Sequence, residues 1–137
     1  MYQQQQPSSF IGDSLAQSRI DMLIAIYDAA IAATEDLAAD LSDGGNGSVA
    51  KIQLLKAVNL IESGLDLSQG ELPRMIQQIC HYIEHTLQHG DESEVTVVYD
   101  ILKRLRDAYV QIQPEARKLE EDGVIPPLPT KSIDAVA

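Results

Sequence analysis

The stretch Ser18–Tyr27, S-R-I-D-M-L-I-A-I-Y, decides the fold. A serine hydroxyl can accept a hydrogen bond from a free amide of a first helical turn, and an acidic residue three positions on can answer it. Ser18 and Asp21 have that spacing, and Asp21 also sits where the helix dipole favours negative charge. Ile20, Leu23, Ile24, Tyr27 and Ile31 then recur at helical intervals and form one apolar stripe. The spacing predicts a long first helix from about Arg19 to Leu41.

Working outward, the glycine-rich segment Asp43-Gly44-Gly45-Asn46-Gly47 ends this helix and reverses the chain. A second helix is expected from about Val49 to Leu65, with Ser48 as its cap and Leu54, Val58, Ile61 and Leu65 as its stripe. Ser68 and Glu71 read as a second capping box, and Pro73 suits a helix start. The third helix then runs to about His89, with Leu72, Ile76, Ile79 and Ile83 inward and Gly90 as the stop. Asp91 caps a fourth helix whose seam is Val95, Val98, Leu102, Leu105, Tyr109 and Ile112. Pro114 is expected to interrupt it, leaving Glu115–Asp122 as a short extra helix that Gly123 stops.

The fold class is therefore all-α, an antiparallel four-helix bundle over residues 18–123. Residues 1–17, rich in Gln, read as a flexible arm, and residues 124–137, with Pro126, Pro127 and Pro129, as an extended tail. With 137 residues the chain builds one core. A net charge of −11 argues against nucleic acid or an anionic membrane as partner. The single Cys80 excludes an intramolecular disulfide and fits a reducing compartment. No basic segment followed by an apolar run opens the chain, so no signal peptide is expected, and the cytoplasm is the expected location.

Chemistry-bearing residues are few. His81, His85 and His89 lie four apart on one helix face, a spacing that can hold Zn²⁺ or Ni²⁺. That face lies opposite Ile79 and Ile83, so a polar surface is the simpler reading and no metal is assigned. His85-Thr86-Leu87 resembles the H-x-L-K-G segment of histidine phosphotransfer bundles, with Gln88 and His89 in place of lysine and glycine. Cys80 borders an apolar arc with no basic group near it in sequence, which suits a structural thiol. There is no glycine-rich phosphate loop, and no cofactor or catalytic residue is expected.

More telling is an apolar surplus. Met22, Ile26, Ala30 and Ala33 adjoin the core stripe of the first helix, and Ile52, Leu55 and Leu60 lie outside that of the second. Such a surplus suits a groove for a partner, a homodimer face, a thicker core, or a surface covered by Phe10, Ile11 and Leu15 of the arm.

From Ser18 to Ile112 the chain also resembles FliS, the flagellin-specific export chaperones. The resemblance rests on Leu23–Ala30 around Tyr27, on Lys56-Ala57-Val58-Asn59-Leu60-Ile61 with Leu65-Asp66, on Gly70-Glu71-Leu72, on Tyr82-Ile83 with Leu87, and on Leu105-Arg106-Asp107-Ala108-Tyr109. It implies a non-enzymatic helical-bundle chaperone that holds the C-terminal segment of flagellin, prevents premature polymerisation and keeps the chain exportable. It also implies that the arm covers part of the binding surface before flagellin arrives, giving Phe10, Ile11 and Leu15 a role beside Met22, Ile26, Ile52, Leu55 and Leu60. Phosphotransfer through His85, or metal binding by the bundle, are the alternative readings.

Overall fold

A computed structural model describes residues 18–89 and 92–123. The expected roles of Phe10, Ile11, Leu15, Gly90, Asp91 and the proline-containing tail fall outside them. The described residues form an all-α helical bundle without strands: α1 (Arg19–Ser42), α2 (Ser48–Ser63), a 3₁₀ turn (Leu67–Gln69), α3 (Glu71–His89) and α4 (Glu92–Glu121). They group into two compact units, Ile24–Ala108 and Met1–Leu23 with Tyr109–Ala137, the latter described over 18–23 and 109–123.

Within the larger unit, α1 and α4 run antiparallel. Ser42 Oγ donates to Glu92 Oε2 at 2.6 Å, and Arg106 Nε donates to Asp28 Oδ1 at 2.8 Å, so equal steps back along α1 and forward along α4 keep the two helices paired. The core contains Tyr27, Leu37, Leu54, Val58, Ile83, Val98 and Leu102, all fully buried. Ala30 and Ala33 belong to it too, contrary to the expectation that they lie on a surplus strip. A small side chain at a helix contact lets neighbouring elements approach closely, and hydrophobicity alone does not reveal that role. Thr34 shares this contact by donating its hydroxyl to the Ala30 carbonyl at 2.7 Å.

The α1–α2 reversal is built around Asp40. Gly45 N–H donates to the Asp40 carbonyl at 2.8 Å, and Gly47 N–H donates to its carboxylate at 2.6 Å. Gly47 has φ +68°, in the left-handed region that favours glycine. It precedes α2 without a side-chain cap, and Ser48 is the first helical residue rather than the cap. The other expected box also differs. Ser68 lies inside the 3₁₀ turn that precedes α3, and Asp66 caps that turn: its carboxylate accepts from Ser68 N–H at 3.1 Å and from the Ser68 hydroxyl at 2.6 Å.

In the smaller unit, Ser18 caps α1 as its sequence suggests, accepting from Asp21 N–H at 3.2 Å. Asp21 Oδ1 accepts from Gln113 Nε2 at 2.6 Å and from Arg117 Nη2 at 2.7 Å, while Arg19 N–H donates to Glu120 Oε1 at 3.0 Å. These contacts hold the chain on both sides of Pro114, and α4 continues through it to Glu121 instead of breaking into a separate short helix. Proline removes one helical amide donor, and long-range side-chain bonds that a local reading cannot see secure the following turns.

Asp21 makes the molecule sensitive to acid. Partial burial opposes its charge, but hydrogen bonds from Arg117, Gln113 and Ser18 prevail and hold its carboxyl at about 2, below the ordinary 3.8. A depressed carboxyl contributes stability above its ordinary value and loses that contribution as pH falls toward the folded one. Asp21→Asn is therefore expected to lower the urea midpoint near neutral pH, with the deficit closing between about pH 4 and 2. A deficit that persists unchanged in acid would mean that packing, not charge, is what the substitution removes.

Candidate partner-binding surface

The orientation of α3 leaves apolar side chains exposed on the larger unit. Ile76, Cys80, Ile83, Thr86 and Leu87 point inward. At about 100° per residue, this choice turns the helix away from the stripe expected from sequence. Leu72, placed inward by the sequence reading, is 57% exposed, and Met75 is 56% exposed. Ile79 is half-buried, and Tyr82 is exposed beside it. Met75, Gln78, Ile79 and Tyr82 line one side of a shallow groove of about 320 Å³, and Ile101 of α4 lines the other. Val97, one turn before Ile101, is also exposed.

The residues expected to bind a partner are distributed more widely. Ile52 and Leu60 are exposed and share an outer strip of α2 with Val49, opposite the buried Leu54, Val58 and Ile61. Leu55 is half-buried on the flank of that strip. Ile26 is half-buried on α1, and Met22, half-buried as well, belongs to the smaller unit. The α3–α4 groove was missed because Leu72 and Ile79 complete a regular stripe with Ile76 and Ile83. The available signal was the number of apolar residues on α3, more than one buried stripe can take.

The opposite flank of α3 carries the titratable groups. His81, His85 and His89 are exposed, as their position opposite the apolar stripe suggests. The His85 and His89 rings stack at a tilt, with centroids 4.8 Å apart. His81 does not merely face water: its Nε2 lies 3.0 Å from Glu62 Oε2 of α2. Glu84, one turn along α3, is half-buried nearby. Cys80 is buried, and desolvation, followed by the charges of Glu62 and Glu84, pushes its thiol up to about 11. A thiol so rarely ionised is a packing element rather than a nucleophile.

Among the described residues no helix is long and apolar enough to cross a membrane. Compared with known protein families, curated proteins and solved structures, the chain matches none.

Proposed function

We propose that the chain is a non-enzymatic export chaperone of the cytoplasm that holds the C-terminal segment of flagellin on its exposed apolar surface. One observation carries the reading: the groove between α3 and α4, where Met75, Ile79, Tyr82 and Ile101 present apolar surface to solvent. An amphipathic helix lays its apolar face into such a groove through anchors three and four residues apart. A flexible Met and an aromatic ring suit that task, since one adapts to irregular shapes and the other brings large contact area. The outer strip of α2, with Ile52 and Leu60, extends the apolar surface available on the bundle. The motif resemblance to the flagellin-specific chaperones supplies the partner, and the acidic net charge disfavours nucleic acid as an alternative.

The test is calorimetric titration of the full chain with a flagellin C-terminal peptide. One peptide should bind per chain. Met75→Asp and Tyr82→Asp should each weaken binding by more than about tenfold, the loss expected when a central anchor worth over about 1.4 kcal/mol is removed. Their helical circular dichroism should remain that of the parent, because both side chains are exposed. Ile52→Asp measures the contribution of the α2 strip. Unchanged affinity in all three variants would sink the surface as the binding site, and no binding by the parent would sink flagellin as the partner.

A further inference from the structure

We propose that Glu62, His81 and Glu84 form a binding site for a divalent cation of the Zn²⁺ class that bridges α2 and α3. His81 and Glu84 stand one turn apart on α3, and Glu62 comes from the last turn of α2. One ligand atom from each residue lies within 4.8 Å of those of the other two. A tetrahedral ion with bonds of about 2.0–2.1 Å holds its ligands roughly 3.3 Å apart. The Glu62–His81 separation of 3.0 Å is already close to that spacing. A rotamer change at Glu84 completes the set.

The chemistry of the three groups selects the ion. One imidazole with two carboxylates suits a borderline cation such as Zn²⁺ better than the all-oxygen cages of Ca²⁺ or Mg²⁺. Three protein ligands leave a fourth position for water. Two carboxylates close together repel, and a dication between them removes that repulsion. His81 is exposed while both carboxylates are half-buried, so an ion enters from solvent without separating the helices. Once bound, it ties the end of α2 to the middle of α3, and the folded chain is stabilised by mass action.

A rival arrangement uses only the histidine row of α3. Glu62 separates the two because it lies on a different helix from all three histidines. The full chain, stripped with a chelator, is titrated with ZnCl₂ by calorimetry and melted with and without the ion. One ion should bind per chain and raise Tm. Glu62→Gln and Glu84→Gln should each weaken binding by more than about tenfold, a loss that even outer-sphere partners of a metal produce. The double variant His85→Ala/His89→Ala should bind as the parent does. Circular dichroism verifies that each variant remains helical. Absence of binding, or loss that follows His85 and His89 while Glu62→Gln binds normally, overturns the site.

Discussion

Gly47→Ala is expected to lower the unfolding free energy by about 2–5 kcal/mol, measured by urea denaturation. Two costs combine. A left-handed backbone costs a residue with a Cβ about 1–2 kcal/mol, and φ at Gly47 is +68°. The added methyl would also run into Leu37 Cδ1, which belongs to the core. Displacing a packed leucine costs a further 1–3 kcal/mol or so. Gly44 provides the internal control. Its φ is +89°, but nothing lies within 4 Å of where its Cβ would be. Gly44→Ala should therefore show the backbone cost alone. Equal losses at the two positions would mean that Leu37 yields freely and that the α1–α2 reversal is not tightly packed against the core.

Tyr27→Ala is expected to cost about 3–5 kcal/mol, the range for truncating a large buried ring. Tyr27 is 1% exposed. Against a typical total stability of about 5–15 kcal/mol, this loss is a large fraction of the whole. Ile52→Ala, at a position 55% exposed, should stay within about 0.5 kcal/mol of the parent. The pair separates two meanings of one sequence signal. Tyr27 is the centre of the motif that resembles the export chaperones, yet its burial gives it a packing role, so the proposed partner contact rests on surface residues instead. A Tyr27→Ala variant as stable as the parent would contradict that division.

Helix existence was readable because it is encoded locally. The Ser18 cap, the glycine cluster after Ser42 and the stop at Gly123 are short-range devices, and the described helix ends fall close to where those residues place them. The α2 core was largely legible: Leu54, Val58 and Ile61 are buried as their spacing predicts, whereas Leu65, expected to continue the stripe, lies beyond the helix end at Ser63. On α3 two stripes of equal regularity compete, and only packing against neighbouring helices selects Cys80 and Leu87 over Leu72. The candidate groove follows from that choice and was hidden with it. The passage of α4 through Pro114 and the meeting of Glu62 with His81 depend on residues distant in the chain. No periodicity within one segment encodes such contacts.

Cys80 turns this architecture into its own stopwatch. Its thiol is both enclosed and held at about 11, so a thiol-specific reagent finds almost no thiolate in the closed bundle near neutral pH. Modification must wait until α3 lifts away from its neighbours. Because the chain has a single cysteine, the labelling rate follows one opening event, and its dependence on urea separates a local excursion of α3 from global unfolding.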